Sequence, residues 1–174
     1  MYAAARARHV DVGSRVDGFS SHLLVFRSVE VVDIRPIESS VPELKFVQSS
    51  AMDLSIFGDD SLESLSSLHA TEHFGLGRYG DPVDPDAWSV AMREFERVLR
   101  RGGKLYFSVP VGRERVEVNA YRVFAPRTVV QAFSKLELTS FSAVDDRGDL
   151  VTDADLDARA SARMACGLFE LTKR

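Results

Sequence analysis

Residues 9 to 34 hold two β-branched runs joined by a glycine turn and a helix-spaced stretch, and the second run closes on an acid. That order points to a parallel βαβ unit and leaves few other architectures open. His9-Val10-Asp11-Val12 reads as a strand running into Gly13. Phe19, His22, Leu23 and Phe26 then fall at i, i+3, i+4 and i+7, the spacing of one helical face. Val29 to Ile34 is the second strand. Glycine in the intervening turn lets the chain bend sharply and lets a ligand come close to the backbone. Asp33 stands twenty residues after Gly13. An acid at that place in a nucleotide-binding βαβ unit accepts hydrogen bonds from ribose hydroxyls.

The dinucleotide fingerprint G-x-G-x-x-G is absent, since Arg15 stands where its second glycine would be. A pyrophosphate needs bare backbone there. Arg35, just past Asp33, keeps an NADP-binding reductase open as an alternative, because an arginine there can meet a 2′-phosphate.

The pattern continues along the chain. Leu44 to Val47 reads as a third strand, between loops marked by Pro42 and Gly58. Ser61 to Leu68 places leucines at three-residue steps, and its last part, Leu65 to Leu68, is expected to be a strand. Gly75, Gly77, Gly80 and Pro82 make the next segment irregular. Asp84-Pro85 is expected to start a helix as N-cap and first helical residue. Trp88, Ala91, Met92, Phe95, Val98 and Leu99 mark its buried face, and Gly102-Gly103 is expected to end it. Leu105 to Val109 is a strand, Arg127 to Phe133 a helix, and Leu136 to Val144 and Gly167 to Thr172 are strands able to pair as an antiparallel edge. Alternating strands and helices predict one α/β domain over residues 1–174, with a mostly parallel sheet and helices on both faces.

Composition narrows the partners. The net charge is −4, and Arg6, Arg8 and the Arg97/Arg100/Arg101 group make no basic stripe, so neither nucleic acid nor an anionic membrane is expected. The single cysteine, Cys166, allows no internal disulfide and fits a reducing compartment. No apolar run is long enough to span a bilayer, and Met1 to Arg8 lacks an apolar signal core, so a cytoplasmic location is expected.

Several runs carry a resemblance. Glu94-Phe95-Glu96-Arg97-Val98-Leu99-Arg100-Arg101-Gly102-Gly103-Lys104-Leu105 resembles the helix-turn-strand of class I S-adenosylmethionine (SAM) dependent methyltransferases, with Arg101 in place of the usual proline. His9 to Ser14 resembles their first motif and Val32-Asp33-Ile34 their second. The run from Ser67 to Pro82, together with Ser108 to Gly112, Asn119 to Phe124 and Cys166 to Glu170, resembles the family known as domain of unknown function 268. The resemblance implies a Rossmann-like methyltransferase fold and SAM as cofactor. It would place Asp11, Gly13, Ser14, Gly18, Asp33, Ile34, Ala51 and Met52 around that cofactor. Two departures stand out. The acid that methyltransferases often carry after strand three is replaced by Ser49-Ser50-Ala51-Met52, with Asp53 coming late. The chain also begins almost at strand one, so either the site is open or the start of the coding region is lost.

His69-Ala70-Thr71-Glu72-His73 fits the H-x-x-E-H signature of zinc peptidases, which needs both histidines on one helical face. The glycine-rich loop that follows leaves little room for that helix, so no metal is expected. Topology offers a better role: these residues sit at the end of strand four, where ligands of open α/β sheets bind. His69 or His73 is therefore the candidate base toward an acceptor, with Glu72 orienting it. Arg78, Tyr79, Arg113, Asn119 and Arg122 are the candidates for holding a small polar acceptor, although Arg122, set among apolar neighbours, reads first as a structural ion-pair arginine. The expected reaction is methyl transfer to oxygen or nitrogen. The competing expectations are a catalytically silent methyltransferase-like binding module and the reductase.

Overall fold

The computed structural model describes residues 8–16, 18–117 and 120–174. Eight strands form one sheet in the order β3-β2-β1-β4-β5-β10-β8-β9. The chain lays down β1 (Arg8–Val12), α1 (Gly18–Leu23), β2 (Ser28–Asp33), β3 (Leu44–Gln48) and β4 (Leu62–Leu68). A single 3-10 turn, Thr71–His73, leads to α2 (Ala87–Val98) and β5 (Leu99–Val111). A separate hairpin, β6 (Arg115–Glu117) with β7 (Tyr121–Val123), precedes α3 (Pro126–Ala132), β8 (Leu136–Val144), β9 (Leu150–Val151), α4 (Leu156–Arg159) and β10 (Ala165–Lys173). The first five strands are mutually parallel. β10 pairs antiparallel with β8, as the sequence pattern anticipates, and inserts between it and β5. The strand order reverses between β1 and β4, which opens a crevice at their carboxyl ends. Among the described residues, no helix is long and apolar enough to cross a membrane.

Strand alternation sorts the side chains onto two unlike faces. Val10 and Val12, Leu65, and Leu105, Phe107 and Val109 join Ala91, Met92, Phe95 and Val98 of α2 in the apolar core. Phe133, Phe141 and Phe169 extend it toward the antiparallel edge, with Phe107 and Phe133 in edge-to-face contact at 5.3 Å. On the opposite face His9 is fully buried, with Nδ1 2.8 Å from Ser64 Oγ and Nε2 2.8 Å from Ser66 Oγ. Ser66 in turn donates to Asp11. Phe19 of α1 meets the His9 ring edge-on at 6.2 Å, so α1 lies on this polar face and helices flank the sheet on both sides.

Four local expectations are corrected. Helix α1 is only six residues long, His22 is exposed, and Phe26 lies beyond it with 63% of its surface in water. Strand β4 begins at Leu62 rather than Leu65, and Leu62 and Leu65 are both buried. Helix α2 begins at Ala87 rather than Pro85. Asp84 is held by Gly75, whose carbonyl takes its amide at 3.0 Å, and Asp84 spends its own carboxylate on the Asp86 amide at 2.9 Å. At the other end α2 stops at Val98, ahead of the glycines. Leu99 already pairs with Leu62, and Gly102-Gly103 sits inside β5 where the register with β4 shifts. A side chain on Gly103 would lie 2.8 Å from the Arg100 carbonyl and 2.9 Å from that of Leu62.

Candidate functional site

A cavity of about 760 Å³ opens at the carboxyl ends of β1, β2, β4 and β5, a volume suited to a nucleotide-sized ligand. Gly13 forms its floor. The backbone there is left-handed at φ 72°, and its amide donates to the Val32 carbonyl at 2.8 Å. The Ser14 hydroxyl accepts the Leu68 amide at 2.7 Å, pinning the turn to the end of β4. Ile34 and Met52 line the cavity beside Asp33 and Ala51. Ser50 accepts the Met52 amide at 3.2 Å, which shapes the loop after β3.

The Asp33 carboxylate lies on the cavity wall and is nearly buried. Both its oxygens are engaged by Arg35, through the amide at 2.8 Å and the guanidinium at 3.0 and 2.7 Å. The same guanidinium stacks over Tyr79 at 4.7 Å, and Tyr79 meets the His73 ring edge-on at 5.5 Å. Asp33, Arg35, Tyr79 and His73 thus form a chain of contacts from the end of β2 to the loop after β4.

The two histidines differ in what their nitrogens face. His69, left-handed at φ 51°, has Nδ1 3.0 Å from Glu72 Oε1 and Nε2 2.9 Å from Cys166 Sγ. The Cys166 bond first, then the Glu72 bond, push its pKa up to about 10 against the opposing effect of burial. Both ring nitrogens are thus engaged, which leaves neither of them free toward the cavity. His73 Nδ1 lies 2.7 Å from the Ala120 carbonyl, an acceptor only, so Nδ1 carries the hydrogen. In the neutral ring Nε2 then carries the lone pair, with Glu72 Oε1 3.9 Å away. The H-x-x-E-H spacing also does not fall on one helical face, since only Thr71–His73 is helical and His69 precedes it. Among the described residues no three His, Cys, Asp or Glu side chains converge on a metal position.

Gly13, Ser14, Asp33, Ile34, Ala51, Met52, His69, His73 and Tyr79 of the sequence-derived candidates line the cavity. Asp11 does not: it faces the polar side of the sheet, where it accepts from Ser66. Gly18 lies at the start of α1 and off the wall. Glu72 is buried behind His69. Arg78 donates to the Ala120 carbonyl at 3.1 Å, and Arg113 is exposed away from the cavity. Arg122 is buried and donates to the Phe74 and Pro85 carbonyls, so its role is to tie the β7 hairpin to the loop before α2. Asn119 lies outside the described residues. Sequence reasoning missed Phe74, Ser108 and Leu168 on the wall and the link from Cys166 to His69. Strand pairing brings these together, and no spacing announces it.

A family model described as a Caenorhabditis protein of unknown function, DUF268, matches residues 10–166. No curated protein matches the sequence. Solved structures do. One is the N-methyltransferase NodS from Bradyrhizobium japonicum WM9 in complex with S-adenosyl-L-homocysteine (SAH), at 13% identity and a TM-score of 0.67, covering 98% of this chain and 80% of that one. Geranyl diphosphate C-methyltransferase from Streptomyces coelicolor A3(2), in complex with magnesium, geranyl diphosphate and SAH, gives 14% and 0.69, covering 99% and 74%. The YcgJ protein from Bacillus subtilis gives 18% and 0.68, covering 99% and 94%. At these identities the likeness fixes the fold, which is that of the class I methyltransferases.

Proposed function

The chain belongs to the DUF268 family, and from that premise we propose that it is a SAM-dependent methyltransferase acting on a small polar acceptor in the cytoplasm. The observation that carries this reading is the cavity at the strand-order switch, with the bent backbone of Gly13 on its floor and a nearly buried carboxylate, Asp33, on its wall. That pairing suits a ribose held over a glycine turn. Ile34 and Met52 offer apolar surface on either side of an adenine, and the Ser50–Met52 backbone offers polar groups in place of the absent third-strand acid. The bound cofactor supplies an already activated methyl group on its sulfonium.

The protein's own work is then to hold the acceptor, exclude water and remove a proton. His73, which lines the cavity and has its tautomer set by Ala120, takes that proton at Nε2. The imidazolium so formed sits 3.9 Å from Glu72 Oε1, which stabilises it. Tyr79 flanks the same space. Arg35 must turn outward before a ribose can reach Asp33. Nearly half of its side chain is already in water, which leaves it room to turn. The same ion pair weakens the reductase alternative, because a 2′-phosphate near Arg35 would also meet the Asp33 carboxylate.

A thermal-shift titration with SAM, SAH and NADPH tests the proposal. Ligand at about a hundred times its dissociation constant adds about 2.7 kcal/mol, or roughly 5–10 °C for a chain of this size. Asp33→Ala should remove the shift. No response to SAM or SAH sinks the reading in favour of a silent module, and a response to NADPH alone favours the reductase.

A further inference from the structure

Cys166 is the side chain at this end of the sheet that methyl transfer leaves unused. It sits in β10, where Cys166, Leu168 and Glu170 alternate onto the less covered face. β10 runs antiparallel to β5 with Cys166 opposite Pro110 and Leu168 opposite Ser108, beside the end of β4 from which His69 emerges. Residues 97 apart in sequence therefore meet: Cys166 Sγ lies 2.9 Å from His69 Nε2. On the other side of the ring, Nδ1 lies 3.0 Å from Glu72 Oε1. Glu72 is 2% exposed, and its second oxygen, Oε2, is the one buried side-chain oxygen among the described residues with no hydrogen-bond partner. A carboxylate so placed directs its charge at His69. The backbone of His69 is left-handed, a conformation that costs energy for a non-glycine residue and recurs at functional sites.

We infer that Cys166, His69 and Glu72 form a second catalytic site, a nucleophile, proton carrier and positioning carboxylate for acyl transfer from an ester or thioester. Cys166 is partly exposed, so an acyl group can reach Sγ from the open face of β10. The Sγ proton passes to His69 Nε2, and the sulfur lone pair attacks the acyl carbonyl carbon. A carbon–sulfur bond forms as the carbonyl pair moves onto oxygen. Return of that pair breaks the bond to the leaving oxygen or sulfur, which takes the proton from Nε2. Water then attacks the acyl-enzyme, gives its proton to His69, and releases the carboxylic acid as Sγ departs. The sum is ester or thioester plus water giving acid plus alcohol or thiol, with no redox change. Glu72 never touches substrate; it fixes the Nδ1 hydrogen and stabilises the imidazolium. The site borders the proposed methyl-donor cavity through His69 and shares Glu72 with His73, but no step of acyl transfer uses the methyl donor.

The test uses the full chain with p-nitrophenyl acetate, followed by peptide mass spectrometry and by SAH titration calorimetry as an independent measure of the other site. We expect a burst of nitrophenolate and an acetyl group on Cys166. Cys166→Ser should carry no acetyl group. His69→Asn, a residue that tolerates left-handed backbone, should acylate about a hundredfold more slowly and with the pH dependence of a free thiol. Glu72→Gln should raise the pH at which acylation begins. The inference is overturned if wild-type Cys166 stays unacylated, or if His69→Asn acylates as fast as wild type. Either result leaves the SAH titration, and with it the methyl-transfer proposal, to be judged separately.

Discussion

His69 and His73 are four residues apart and differ in chemistry because of the atoms each nitrogen meets. One ring lies between a carboxylate and a thiol, and the other donates to a carbonyl and keeps a lone pair. His73→Asn should therefore lower methyl transfer by about a hundredfold or more while SAH affinity stays unchanged. Loss of SAH binding instead would make His73 part of the cofactor wall. Arg35→Ala should bind SAH more tightly by calorimetry, since its removal frees the nearly buried Asp33 carboxylate for the ligand. Weaker binding would show that Arg35 itself holds the ligand. His9 sets an acid limit. Burial, and secondarily the Arg27 charge, lower its pKa to about 4 from 6.5. A depressed histidine stabilises the fold above its unfolded value and loses that contribution as pH falls through the folded one. Unfolding free energy should thus drop by about 3 kcal/mol between pH 6.5 and 4, read by urea titration. Sequence reasoning found Gly13, Asp33 and His73 because each follows a strand end. It could not see that Arg35 occupies Asp33 or that Asp11 turns to Ser66, since those depend on rotamers and on strand pairing.

Among the elements, β5 shows where periodicity misleads. Gly102-Gly103 after a helical run reads as a stop, yet the chain is already extended at Leu99 because Leu62 offers it a strand partner. Gly103 is needed for close backbone approach to β4. Gly103→Ala should destabilise by about 1–3 kcal/mol by overpacking against two carbonyls. Gly148→Ala is the comparison, with open space around the added methyl but a left-handed backbone. Denaturant melts of the two separate crowding from backbone conformation, and an equal loss in both would refute the crowding argument. The leucine steps from Leu62 to Leu68 look helical, yet the strand expected at Leu65 to Leu68 forms and extends back to Leu62. They suit a helix by spacing, but both flanking strands claim the segment.

Over the whole molecule, the sheet divides into an apolar face packed by α2 and a polar face threaded by His9, Ser64, Ser66 and Asp11. The inner strands β2, β1, β4, β5, β10 and β8 have partners on both sides, whereas β3 and β9 are edges. Amide exchange followed by mass spectrometry should find β5 and β10 the most protected and β3 and β9 the least. Early exchange in β10 would mean that the antiparallel insertion opens independently, and with it the Cys166–His69 contact.

What the residues determined alone was the alternation of strands and helices, the glycine turn, the acid at the end of β2 and the histidines at the rim. Each follows from local backbone preference and side-chain period, which act over a few residues. Tertiary structure alone decided which strand lies beside which, and so that Cys166 would reach His69 and Arg35 would close on Asp33 and Tyr79. Those contacts arise from the order of strands in the sheet and from competition for the same few polar atoms, and neither is written into any short stretch of chain.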